Sequence, residues 1–178
     1  MELKKYRKEE QGFVAEGHKL VGDLLGHFPC KLLIATSNWL KMNHSATANE
    51  IIEVTQEELS RASLQKTPQE VLAVFVQPSY DLNPEVIKSS LCLALDDVQD
   101  PGNLGTIIRL ADWFGIEHIF CSTGTADVYN PKTVQATMGA LARVKVHYCS
   151  LPQLIESLTD IPVYGTFLNG NIIYTESL

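Results

Sequence analysis

The sequence predicts an α/β protein in two parts. Apolar runs of strand length alternate with segments of helical periodicity along most of the 178 residues. The connections are short, which favours parallel strands joined by crossover helices. Near residue 80 the alternation is broken by QPSYDLNPEVIKSS, rich in Pro, Asn and Ser, which reads as a linker. The expected division is a first domain over 1–80, a linker over 81–90 and a second domain over 91–178.

In the first part, FVAEG is a short apolar run, and HKLVGDLLGHF places Leu20, Val21, Leu24 and Leu25 at helical spacing. KLLIAT, NEIIEVT and VLAVFVQ are compact, β-rich runs and predict three strands. Thr55 followed by Glu58 has the spacing of a capping box opening the helix QEELSRA. In the second part, LCLALDDV predicts a strand ending in acidic residues. NLGTIIRLADWFG predicts a helix with Leu104, Ile107, Ile108, Ala111 and Phe114 on one face, stopped by Gly115. EHIFCS, KVHYCS and PVYGTFL predict further strands. PKTVQATMGALARV reads as a helix opened by Asn130 and Pro131, and LPQLIESLTD as a helix capped by Ser150. The sum is a parallel sheet with helices on both faces, preceded by a smaller α/β unit.

Composition narrows the function classes. An apolar fraction of 45% suits a buried core. No apolar run reaches the roughly 20 residues that span a bilayer, and MELKKYRKEEQGF lacks the apolar region of a secretory signal. Cys30, Cys92, Cys121 and Cys149 lie too far apart in sequence for a CxxC metal pattern. No metal is expected, and free thiols fit a cytoplasmic protein. The net charge of −7 argues against coating nucleic acid by bulk charge. The charge is uneven: residues 1–80 hold 9 basic and 10 acidic side chains, and residues 81–178 hold 5 and 11. Lys4, Lys5, Arg7 and Lys8 form one run. It reads either as a solvated terminus or as an arm touching phosphate. The five histidines and two tryptophans read as surface or packing residues, and Asp96 and Asp97 as structural.

The strongest local signal is DDVQDPGNLGTIIRLADWFG, Asp96 to Gly115. A strand stops, Asp100-Pro101-Gly102-Asn103 turns the chain, and a helix begins. Gly105 lacks a Cβ where another group could approach the backbone. In open α/β sheets ligands bind beyond the carboxyl ends of strands. The string is neither GxGxxG nor a P-loop. Arg109 shares a helix face with Gly105 and Asp112. It reads either as an exposed ion pair with Asp112 or as a cation at the mouth of a site, ready for phosphate.

The pattern DxVxDPxNxGxIxRxAxxFG resembles the first motif of the SpoU or TrmH type of RNA ribose 2′-O-methyltransferases, in the SPOUT superfamily, at every fixed position. NPKTVQATMGALARVKV resembles the family's second motif, with Gln135 in place of the usual Arg and Thr137 in place of Ser. The stretch KYRKEEQGFVAEGHKLV, Lys5 to Val21, and the stretch Thr67 to Phe75 resemble the family's N-terminal substrate-binding domain, whose fold is like certain ribosomal proteins.

The resemblance implies transfer of a methyl from S-adenosylmethionine to a ribose 2′-hydroxyl of tRNA or rRNA, without a metal, by a homodimer. It implies that Arg109 acts at the acceptor, gripping a neighbouring phosphate and orienting the hydroxyl, because a guanidinium is a poor base. Asn103 would shape the loop and bond across the active site or dimer interface, or serve only the turn. Lys4, Lys5, Arg7, Lys8 and Lys19 would meet RNA. Thr166, Phe167 and Leu168 would edge the cofactor pocket. The family completes that pocket in a trefoil knot, with a GNEGxG-like loop and an SLNVxxA-like segment. Neither string occurs in the 178 residues. The expectation is therefore an incomplete methyltransferase domain that binds S-adenosylmethionine weakly or not at all. Two rivals follow: a non-catalytic RNA-binding protein or truncated pseudoenzyme, and an ordinary nucleotide-binding α/β enzyme.

Overall fold

A computed structural model describes residues 4–81, 85–158 and 161–166. The first part is built as α1 (Lys4–Glu9), β1 (Gly12–Glu16), α2 (His18–Leu24), β2 (Cys30–Thr36), α3 (Ser37–Met42), β3 (Glu50–Val54), α4 (Gln56–Ala62) and β4 (Val71–Val76). The second part follows as α5 (Glu85–Ser89), β5 (Leu93–Leu95), α6 (Pro101–Trp113), β6 (His118–Cys121), α7 (Pro131–Thr137), β7 (Lys145–Tyr148) and α8 (Leu151–Ser157). A 3-10 turn, Ala140–Ala142, lies between α7 and β7.

The first sheet has strand order β1-β4-β2-β3. Only the β2–β3 pair is parallel; β4 runs antiparallel to both β1 and β2. The second sheet, β5-β6-β7, is wholly parallel, with Leu93 opposite Ile119 and Ile119 opposite Val146. The predicted α/β class and the parallel second sheet are therefore present. Each junction has its own cause. The capping box of α4 forms: the Glu58 N–H donates to the Thr55 hydroxyl at 3.3 Å, and the Thr55 N–H donates to the Glu58 carboxylate at 2.9 Å. Helix α6 opens at Asp100, whose carboxylate accepts from the Asn103 N–H at 2.8 Å, with Pro101 at the first position. Helix α7 opens in the same way at Asn130, which accepts from the Lys132 N–H at 2.9 Å.

Several expectations are corrected. The single helix expected over PKTVQATMGALARV stops at Thr137, because Met138 (φ 50°) and Gly139 (φ 94°) turn left-handed. A Cβ on Gly139 would lie 2.6 Å from the Asp23 carboxylate of α2, so that break is where the two parts meet closely. The basic run is helical, not frayed. The linker stretch carries the short helix α5. Residues 162–166 form no strand, and the rest of PVYGTFL lies outside the described residues.

The two parts share one core. Phe13, Leu24, Leu33 and Phe75 of the first part join Leu104, Ile108, Ile119 and Val134 of the second in one buried cluster. Strand β1 lies at a sheet edge, yet all five of its residues are buried, because α7 packs against it. Phe13 stacks on Tyr129 with ring centroids 5.2 Å apart.

Candidate active site

The site forms beyond the carboxyl end of β5, where the Asp96–Asp100 turn leads into α6. Asp100 anchors this corner. Besides capping α6, its carboxylate meets Lys132 at 3.1 Å. The Asn103 N–H, and then Lys132, hold its carboxyl below the usual range. The helix-capping corner is thus tied to α7.

Gly105 settles the spacing of α6 and α7. A Cβ there would sit 2.5 Å from the Ala136 methyl and 2.7 Å from the Thr133 carbonyl. The group that approaches the bare backbone is therefore α7 itself, not a ligand. With Leu104, Gly105, Ile108 and Ala111 buried, α6 exposes the opposite face: Asn103, Thr106, Arg109, Leu110, Trp113 and Phe114.

Arg109 stands on that exposed face. The expected ion pair with Asp112 does not form. Arg143 occupies Asp112 instead, donating through Nε at 2.7 Å and Nη2 at 2.6 Å. Among the described residues Arg109 has no carboxylate partner. Asn103 is also exposed, with only its backbone N–H engaged by Asp100. Six helical positions separate the two, about 9 Å along the axis. Both stand on the solvent side of α6, but Arg109 is turned about 120° around the helix axis from Asn103.

The other expected site residues divide. Lys4, Lys5, Lys8 and Lys19 are exposed. Arg7 is 2% exposed, and its guanidinium donates to Asp127 Oδ2 from Nη2 at 2.7 Å and from Nε at 3.3 Å. It joins the first part to the second and is not presented to a nucleic acid. Thr166 is exposed, while Phe167 and Leu168 lie outside the described residues. Among the described residues no group of three or more His, Cys, Asp or Glu could hold a metal. No helix among them is long and apolar enough to cross a membrane.

Some features were not expected. Trp39 is packed in the core, but Trp113 is 84% exposed beside Phe114 at 72%. That contradicts a packing role for Trp113 within this chain. His118 and His147 are buried side by side, Nδ1 to Nε2 at 3.1 Å, and burial is the main cause lowering both pKa values. Lys132 could have been singled out from its place two residues after the Asn130 cap. Asp127 carried no signal in sequence, since its partner is 120 residues away.

The fold and this corner define a two-part α/β protein whose second part is a parallel sheet, with Asn103 in the first turn of the helix that follows β5 and Arg109 exposed further along that helix. Residues 90–178 match the SpoU rRNA Methylase family, and residues 1–73 match the MRM3-like substrate binding domain. The chain belongs to the SpoU methylase family. It is 30% identical over 179 aligned residues to the Bacillus subtilis 23S rRNA (guanosine(2553)-2'-O)-methyltransferase RlmP, covering 99% of this chain and 71% of that protein. Among solved structures, a Porphyromonas gingivalis protein assigned to the TrmH family of RNA methyltransferases aligns with a TM-score of 0.86 at 42% identity, covering 99% of this chain and 71% of that one. An AdoMet-bound rRNA methyltransferase from Sinorhizobium meliloti aligns with a TM-score of 0.73 at 32% identity, covering 86% of this chain and 60% of that one. The family acts by AdoMet-dependent RNA methylation, and neither the non-catalytic reading nor the ordinary nucleotide-binding one is favoured.

Proposed function

We propose that this chain methylates a ribose 2′-hydroxyl of ribosomal RNA, with residues 1–80 gathering the RNA and residues 91–178 carrying the reaction. The observation that carries the reading is Arg109, exposed on α6 and without a carboxylate partner among the described residues. Arg143 takes Asp112 out of its reach.

S-adenosylmethionine supplies an electrophilic methyl when bound, so the acceptor side must position a weakly acidic hydroxyl. Arg109 binds the phosphate next to the acceptor ribose and orients the hydroxyl, while Asn103 bonds across the site. Among the residues expected to edge the cofactor pocket only Thr166 is described, and no contact to the donor is assigned to it. Lys4, Lys5, Lys8 and Lys19 supply backbone contacts to RNA. Arg7 is withdrawn from that set.

The exposed Leu110, Trp113 and Phe114 continue the solvent side of α6 and support a homodimer that covers them. The free cysteines Cys30, Cys92, Cys121 and Cys149 support a reducing compartment such as the cytoplasm.

The test is transfer of labelled methyl from S-adenosylmethionine to unmodified rRNA, read as alkali-resistant dinucleotides. Arg109→Ala should reduce transfer by at least 100-fold, on the order expected for removing an electrostatic contact at a reacting centre. Its melting temperature should stay unchanged. Full activity in that variant refutes the assignment.

A further inference from the structure

A cleft of about 730 Å³ opens between the two parts, on the side of α7 away from the core. One wall is Val14, Glu16, Leu64 and Gln65; Gly102, Lys132, Gln135 and their neighbours form the other. Gly102 adjoins Asn103 in the chain, which brings the lining of the cleft to the first turn of α6. Its volume lies in the range that binds small ligands.

The first wall is built, not merely folded. Glu16 is 5% exposed and sits at the end of β1. Its carboxylate accepts from the Ser63 hydroxyl and from the Leu64 N–H at 2.9 Å. The Ser63 hydroxyl in turn accepts from the Gln65 N–H at 3.0 Å. This chain of bonds fixes the loop that carries Leu64 and Gln65 into the cleft. Gln65 then reaches across: its Nε2 donates to Gln135 Oε1 at 3.0 Å and to the Glu16 carbonyl at 3.5 Å.

The bonds leave a defined edge. A primary amide carries two donors and a carbonyl acceptor. Both Gln65 N–H groups are directed at protein acceptors, so Gln65 Oε1 is left to accept. The Gln135 carbonyl is engaged, so its Nε2 is left to donate. One acceptor and one donor are therefore left in the lining of the same cleft, together with the half-exposed Leu64 and with Lys132, whose ammonium meets Asp100. A nucleobase edge is the complementary chemistry: adjacent donor and acceptor, a flat apolar face and a nearby phosphate.

We infer that the Gln65–Gln135 pair reads the base of a nucleotide flanking the acceptor ribose, with Lys132 turning from its pair with Asp100 to that nucleotide's phosphate. The inference rests on the proposed action on RNA. It assigns a use to the position where Gln135 replaces the second motif's usual Arg.

The test uses the full chain and four fluorescein-labelled hexaribonucleotides, rA6, rC6, rG6 and rU6, with anisotropy as the readout. The wild type should prefer one hexamer by about tenfold, the order a paired hydrogen-bond contact gives in discrimination. Gln135→Glu keeps size and shape but turns the donor into an acceptor, and should abolish or re-order the preference. Gln65→Leu should level the four affinities. Lys132→Ala should weaken all four alike and reduce the salt dependence. Melting curves accompany each variant, and Gln135→Glu, at an exposed position, keeps the test alive should Gln65→Leu unfold. Equal binding of the four hexamers by the wild type overturns this inference alone, as does an unchanged ranking in Gln135→Glu. Failure to bind any hexamer overturns both this inference and the reading of an RNA-acting protein.

Discussion

Replacing Arg7 separates two roles that the sequence leaves open. If the side chain were part of an RNA-binding arm, Arg7→Ala would lower RNA affinity and leave the fold alone. The structure makes the opposite prediction. The Arg7 side chain is 3% exposed and Asp127 is 17% exposed. Two guanidinium nitrogens, Nη2 and Nε, donate to one carboxylate oxygen, at 2.7 and 3.3 Å. Breaking a buried pair from one side costs about 3–5 kcal/mol, because a buried charge loses its partner. Asp127 keeps some solvent and also accepts from the Tyr129 N–H at 3.0 Å, which places the cost near the lower end, about 3 kcal/mol. For a chain of this length that is a fall in melting temperature of about 6–12 °C. Circular dichroism or differential scanning fluorimetry reads it directly. The double variant Arg7→Met with Asp127→Asn, which keeps the Tyr129 bond and removes both charges, should recover most of the loss. A fall below about 2 °C would refute the structural role, since the pair would then be worth no more than a surface one.

Gly105→Ala should lower the melting temperature by several degrees. The new methyl meets the Thr133 carbonyl at 2.7 Å, and such overpacking costs about 1–3 kcal/mol, against about 1 kcal/mol of helix propensity gained; a more stable variant would show that α6 and α7 can part. The His118–His147 pair predicts acid sensitivity. Burial lowers both pKa values in the folded protein, so the unfolded chain takes up protons first as pH falls. Stability should be full above about pH 6.5 and decline below it. Urea midpoints at pH 7.5 and 5.5 measure this, His147→Gln should shrink the difference, and a midpoint that rises on acidification contradicts the sign.

The parts of the fold legible in sequence are those set by local chemistry. The Thr55–Glu58 box, the Asp100-Pro101 start of α6 and the Asn130-Pro131 start of α7 each concern neighbours within three residues, and all three form. The alternation of strands and helices gave the parallel sheet for the same reason. What escaped was set by distant contacts. Phe114 falls on the predicted apolar face of α6, yet it is exposed with Trp113, since it is the C-cap, where the helix ends and the chain turns away at Gly115 (φ 70°). The break after Thr137 depends on Asp23 of α2 crowding Gly139. Arg7 shows the same limit from the charge side: a run of cations has no feature announcing that one member points inward to Asp127. The site was half visible. Arg109 and Asn103 are both exposed on α6, but the release of Arg109 from Asp112 depends on Arg143, 31 residues from Asp112.

Gln135 brings these strands together, because its neighbours decide which residue the position can hold. It sits on the helix that Gly105 draws against α6 and that buries β1. Its carbonyl faces an amide donor of Gln65. An Arg here, as the second motif usually has, cannot accept from Gln65, which would have to turn its oxygen to the guanidinium and leave the Glu16 carbonyl. Gln135→Arg should therefore be slightly destabilising on its own, by about 0.5 kcal/mol, the low end for a hydrogen bond whose partners can turn to water. Gln65→Glu should offset it by giving the guanidinium a carboxylate, a partly exposed pair worth about 0.2–1 kcal/mol. A double-mutant cycle on urea midpoints isolates that coupling. Coupling of the expected sign means that the residue at 135 is chosen jointly with the loop of the first part, so the two parts form one composite surface at the cleft. A coupling of zero would mean that the bond between Gln65 and Gln135 contributes nothing to that surface.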